Sequence, residues 1–125
     1  MGLRILVIDD NPANLDLMLY LLGAFGHRAE GAADGLAGFE AACSGDFAIV
    51  LSDILMPGMD GYELARRFKS DPRLAAIPLV AVTALAMAGD RERIRAAGFD
   101  GYISKPVEPE SFVSQVEAYL RPASP

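Results

Sequence analysis

The stretch Arg4-Ile5-Leu6-Val7-Ile8-Asp9-Asp10-Asn11-Pro12 decides the fold. Its aliphatic run does not alternate with polar residues, which is the pattern of a strand buried on both faces. The run passes directly into two acids. Asn11-Pro12 then places proline at the first position of a helix, where its missing N–H costs nothing. A doubly buried strand that hands over at once to a helix is the start of a βα unit.

The same handover recurs down the chain. Apolar runs at Ala48 to Leu51, Leu79 to Val82, and Tyr102 to Ile103 with its flanks read as further buried strands. Between them lie residues at helical spacing: Leu15, Met18, Leu19 and Leu22; Leu36, Phe39 and Cys43; Leu64, Ala65 and Phe68; and Phe112, Val116, Tyr119 and Leu120. Met87 to Ala97 is a weaker helix anchored by Ile94, and the alternating stretch His27 to Ala32 supplies a fifth strand. Gly26 and Gly98 stand where C-terminal caps are wanted, and Glu108-Pro109 again puts proline at a helix start. Strands alternating with helices predict an α/β, flavodoxin-like (βα)₅ fold, a doubly wound parallel sheet with right-handed crossovers. Arg28 to Ala32 is the most polar strand, so it belongs on an edge, as the order 2-1-3-4-5 requires.

At 125 residues and 52% hydrophobic, the chain fills one core; residues 1–121 are expected to form one domain and 122–125 a frayed tail. No apolar run approaches a membrane span and no signal peptide opens the sequence, so a cytoplasmic protein without a membrane partner is expected. A net charge of −6 with no cluster of basic residues expected argues against direct nucleic-acid binding. Cys43, the single cysteine, reads as a small buried apolar residue, and His27, the single histidine, as a surface residue in the loop after the first helix. Met56 and Met59 read as packing under the third helix.

In an open parallel sheet, function collects beyond the carboxyl ends of the strands. The first strand ends in Asp9-Asp10, the third in Asp53, the fourth in Thr83 and the fifth in Ser104-Lys105. Three converging carboxylates repel one another unless a cation accompanies them. Few carboxylates and no Ca²⁺ loop pattern favour Mg²⁺, with Mn²⁺ as a substitute. Lys105 and Thr83 suit the oxygens of a phosphoryl group, and Asp53, central among these groups, is the expected acceptor. Each residue has a plainer reading: Asp9 or Asp10 as a helix cap, Asp53 in a turn, Thr83 as a β-branched strand end, Lys105 as a solvated lysine. Only their joint position at four strand ends makes a site.

Ile5-Leu6-Val7-Ile8-Asp9-Asp10-Asn11, Asp53-Ile54-Leu55-Met56-Pro57-Gly58-Met59-Asp60-Gly61, Val82-Thr83-Ala84 and Ile103-Ser104-Lys105-Pro106 together resemble the signature blocks of CheY-like receiver domains of two-component response regulators. The resemblance implies Asp9, Asp10, Asp53 and the Leu55 carbonyl as metal ligands. It also implies Asp53 as phosphoacceptor, Lys105 and Thr83 as phosphoryl contacts, Thr83 and Tyr102 as the switch, and a cis peptide between Lys105 and Pro106. The donor would be a histidine kinase or a histidine phosphotransfer protein. A downstream protein target, or a weak dimer in place of a monomer, would use the fourth helix, fifth strand and fifth helix. Leu55 and Leu85 occupy the positions that tune phosphoryl lifetime, and neither side chain can hydrogen-bond a water. On this reading the chain assists its own phosphorylation and slow dephosphorylation and is not otherwise an enzyme. The block Thr83 to Arg93 is also similar to the subgroup containing DivK-type single-domain regulators and receivers of hybrid kinases, and does not separate the two.

Two alternatives fail on the residues. A haloacid-dehalogenase-type phosphatase needs a second Asp two positions after its nucleophile, yet Ile54-Leu55 follow Asp53 and Asn11-Pro12 follow Asp10. A flavin or nucleotide binder needs a glycine-rich first loop in place of Asp-Asp-Asn-Pro-Ala-Asn. A pure interaction module would not need the full set of Asp9, Asp10, Asp53, Thr83 and Lys105.

Overall fold

A computed structural model describes residues 2–85 and 87–120. Five strands, β1 (Arg4–Ile8), β2 (Arg28–Ala32), β3 (Ile49–Ser52), β4 (Leu79–Thr83) and β5 (Gly101–Ser104), alternate with five helices. The helices are α1 (Pro12–Ala24), α2 (Gly35–Ser44), α3 (Gly61–Ser70), α4 (Ala88–Ala97) and α5 (Phe112–Ala118). The strands pair in parallel in the order β2-β1-β3-β4-β5. No helix among the described residues is long and apolar enough to cross a membrane.

Strand periodicity builds two cores from one sheet. Ile5, Val7, Ile49, Leu51, Val80 and Val82 pack with Met18 and Leu22 of α1 and Phe112 and Val116 of α5. Their alternates Leu6, Ile8, Val50, Leu79 and Ala81 pack with Ala42 of α2, Leu64 and Phe68 of α3 and Ile94 of α4. The central strands are therefore apolar on both faces, and β2 is the exposed edge anticipated from its polarity. Asn11 caps α1 by accepting the Asn14 N–H at 3.1 Å, so neither Asp9 nor Asp10 serves as the cap. The Gly98 cap of α4 adopts a positive φ of 118°.

Several local expectations are corrected. In α2, Phe39 and Cys43 pack against the core as expected, but the buried positions are Gly35, Gly38 and Ala42, and Leu36 is 53% exposed. The helix runs so close to β1 that a Cβ on Gly38 would stand 2.4 Å from Ile8 Cδ1, and small residues define its inner face. Cys43 is only half-buried, with the Arg73 guanidinium 3.4 Å from its sulfur. Helix α5 begins at Phe112, and Pro109 lies in the preceding turn, wound by the Phe112 N–H to Glu108 C=O bond of 2.8 Å. His27 lies at the expected end of the sheet, but its side chain is 7% exposed. Its Nδ1 accepts the Leu3 N–H at 3.2 Å, so Nε2 carries the hydrogen and donates to Glu117 at 2.8 Å. The chain's start and α5 together enclose it. Met56 is buried as expected, and Met59 packs against the same core.

Candidate functional site

The predicted residues meet at the carboxyl edge of the sheet. Asp9 leaves β1 with its amide donating to Ala32 C=O, and Asp53 leaves β3 with its amide donating to Ile8 C=O at 2.9 Å. Ladder hydrogen bonds thus continue one residue past each strand and fix both acids side by side. Carboxylate oxygens of Asp9, Asp10 and Asp53 lie within 4.8 Å of one another. Asp9 is 1% exposed, Asp53 7%, and Asp10 faces solvent.

Each buried carboxylate has one oxygen tied down locally. Asp9 Oδ1 accepts the Asn11 N–H at 2.9 Å, and Asp53 Oδ1 accepts the Ile54 N–H at 2.7 Å. The other oxygens share Lys105, whose Nζ donates to Asp9 Oδ2 at 3.1 Å and to Asp53 Oδ2 at 3.2 Å. The Lys105 N–H in turn donates to Thr83 C=O at 2.9 Å, anchoring the lysine's backbone to the end of β4. The peptide from Lys105 to Pro106 is cis, as expected.

Charge balance follows from this geometry. Burial is the largest influence on Asp53 and raises its pKa. The Lys105 charge and hydrogen bond pull it down, the Asp9 charge pushes it up again, and the net position is above the ordinary aspartate value. For Lys105, burial works against the ammonium, but the Asp9 hydrogen bond and the Asp53 charge outweigh it and raise the pKa. A salt bridge commonly lowers its acid; here desolvation and a second carboxylate reverse that sign. Three carboxylates against one ammonium leave the edge net negative, and the close oxygens suit a hard divalent cation. The Leu55 carbonyl accepts no backbone hydrogen bond among the described residues and so remains free as a ligand.

Thr83 is fully buried, and its Oγ1 accepts the Leu85 N–H at 3.1 Å. Leu55 is 62% exposed, and Leu85 packs half-buried against the α2–α4 core. Tyr102 is half-buried against that core, and its carbonyl accepts the Tyr119 hydroxyl at 3.2 Å. Sequence reasoning missed the Arg91 guanidinium, 5.0 Å from the centre of the Tyr102 ring. Its only sequence signal was a basic residue one turn before Ile94. Ser104 is exposed beside the site.

The model of the response regulator receiver domain family matches residues 5–117. The chain belongs to that family. This receiver domain is 36% identical over 116 residues to the polar-differentiation response regulator DivK of Brucella ovis, covering 93% of this chain and 94% of DivK. Among solved structures, it is similar to the receiver domain of the sensor histidine kinase PA1611 from Pseudomonas aeruginosa, a structure with a magnesium ion coordinated in the active site cleft. That likeness has 29% identity and a TM-score of 0.87 over 96% of this chain and 98% of the other. The chemotaxis regulator CheY4 of Vibrio cholerae shares the fold at a TM-score of 0.90 and 24% identity, over 95% and 99% of the two chains.

Proposed function

We propose that this receiver domain accepts a phosphoryl group on Asp53 from the phosphohistidine of a kinase or phosphotransfer partner. The observation that carries this reading is the convergence of Asp9, Asp10 and Asp53 within 4.8 Å, with Lys105 bridging two of them. One Asp53 oxygen attacks phosphorus, the P–N bond breaks, and its electron pair leaves with the imidazole nitrogen. Asp9, Asp10, Asp53 and the Leu55 carbonyl would hold Mg²⁺, which when bound neutralises phosphoryl oxygens. Lys105 neutralises oxygens on the other side, and Thr83 exchanges its Leu85 N–H contact for a hydrogen bond to the phosphoryl group.

Movement of Thr83 opens space for Tyr102 to turn inward, so the face made by α4, β5 and α5 reports phosphorylation to a downstream protein. Leu55 and Leu85 offer no hydrogen-bonding side chain to an attacking water, so the acyl phosphate persists. The domain promotes its own transfer and turns over no further substrate. Incubation with acetyl phosphate and Mg²⁺, read by intact mass, tests the reading. A phosphoryl adduct is expected on the wild type, and none on Asp53→Asn or after chelation. An unmodified wild type, or an undiminished adduct on Asp53→Asn, refutes it.

A further inference from the structure

The sequence holds no run of basic residues, but folding assembles a basic cleft away from the acidic edge. Between α3 and α4 lies an open cleft of about 340 Å³ lined by Asp60, Tyr62, Arg66, Arg93, Ala96 and Ala97. Arg66 and Arg93 are exposed, and neither forms an ion pair among the described residues, in contrast to neighbouring Arg67 and Lys69. Asp60 is the cleft's one acid. Its Oδ1 is committed to capping α3 through the Glu63 N–H at 2.9 Å, so two arginines share the cleft with one carboxylate that has one oxygen already in use.

A second, independent feature points to a ligand. Tyr62 is 9% exposed, and its hydroxyl is the buried side-chain polar atom left without a partner among the described residues. Orphaned buried hydroxyls are uncommon because they forfeit their hydration for nothing in return. The Arg93 guanidinium lies over the Tyr62 ring, 4.7 Å from its centre, so a cation and an unpartnered hydroxyl belong to one side of the cleft. The methyl groups of Ala96 and Ala97 leave room for an aliphatic stem between the helices.

We propose that this cleft docks a carboxylate side chain on an acidic segment of a partner protein. Arg66 and Arg93 hold the carboxylate, and the Tyr62 hydroxyl donates to it as Arg93 shifts from its covering position. A singly charged carboxylate meets less repulsion from Asp60 than a phosphate dianion does. In a chain of net charge −6, a local positive cleft also orients an acidic partner that the rest of the surface repels.

The test uses the unphosphorylated protein and a hexaglutamate peptide at low salt, followed by amide chemical shifts. Saturable shifts are expected at residues 60–67 and 93–97. Arg66→Ala with Arg93→Ala should weaken binding about tenfold or more, and Arg28→Ala on β2 should not change it. Tyr62→Phe gives a paired signature: about threefold weaker binding, with an unfolding midpoint no lower than wild type because no native hydrogen bond is lost. Absence of saturable binding, shifts centred elsewhere, or indifference to the double substitution overturns the proposal. So does inorganic phosphate saturating the same amides at equal or lower concentration, since that marks a small-anion site.

Discussion

Gly61→Ala probes how the proposed acceptor, Asp53, is positioned, because Gly61 is the first residue of α3 and lies directly behind it. A Cβ there would stand 2.5 Å from the Asp53 carbonyl oxygen, 2.7 Å from Ile54 Cα and 3.1 Å from Ile54 Cδ1. An ordinary carbon–oxygen contact is about 3.3 Å, so the backbones must separate by roughly 0.8 Å. The Gly61 N–H, donating to the Ile54 carbonyl at 2.8 Å, resists that separation. Overpacking of this kind costs about 1–3 kcal/mol, and contacts with backbone belong in the upper half of that range. Improved helix propensity returns less than about 1 kcal/mol, which leaves a loss near 2 kcal/mol.

For a domain of this size, that loss lowers the melting temperature by about 8 °C while leaving the protein folded. Displacement of Asp53 from Asp9 and Lys105 should slow acetyl phosphate labelling by about tenfold. Gly89→Ala in α4 is the matched control. Nothing among the described residues lies within 4 Å of its added methyl, so stability should hold or rise by about 0.5 kcal/mol. Calorimetry and labelling kinetics on the two variants decide the matter. A Gly61→Ala protein that melts with the wild type and labels at its rate would refute the claim that close approach at Gly61 sets the acceptor.

Three further outcomes follow from the site. Because folding raises the Asp53 pKa above its ordinary 3.8, the native state holds that proton more tightly than the unfolded chain. Metal-free stability should therefore fall as pH rises from the ordinary aspartate range through the raised value; Asp53→Asn should remove that component and be more stable at neutral pH, and identical urea-derived pH slopes for the two proteins would contradict it. Leu85→Glu should speed loss of the phosphoryl group by about tenfold or more by offering a water-orienting carboxylate, and an unchanged decay rate sinks that assignment. Arg91→Ala removes the guanidinium over Tyr102, a contact of about 0.5–1 kcal/mol, and should tighten Mg²⁺-dependent beryllofluoride binding by about two- to fivefold; calorimetric titration showing no change, or weaker binding, means that Arg91 does not restrain the ring.

The fold was legible because its central strands bury both faces, and unbroken aliphatic runs such as Ile5 to Ile8 leave few other arrangements. The site was legible for a related reason: polar residues that end such strands have one edge of the sheet on which to stand. The phase of α2 was not. A ten-residue helix rich in Ala and Gly satisfies several apolar faces, and close approach to Ile8 chose the one without Leu36. The burial of His27 depends on Glu117, ninety residues away, and the Arg66–Arg93 cleft on how two helices lie together. Neither leaves a local pattern in the chain.

The raised pKa of Asp53 agrees with the repulsion expected of converging carboxylates, with burial as its largest cause, and it connects stability to function. Lys105 is shared: its Nζ reaches Asp9 and Asp53 at nearly equal distances, so neither acid has an ammonium of its own. Buried, and facing a second carboxylate, Asp53 is therefore less comfortable charged than it would be in water. Anything that brings positive charge to the cluster without unfolding the chain stabilises the native state through that same carboxylate. Neutralising Asp53 by substitution should gain part of the same stability and remove the proposed nucleophile. On the proposed function, the unfavourable charge is kept because the electron pair that makes Asp53 costly to bury is the one that would attack phosphorus.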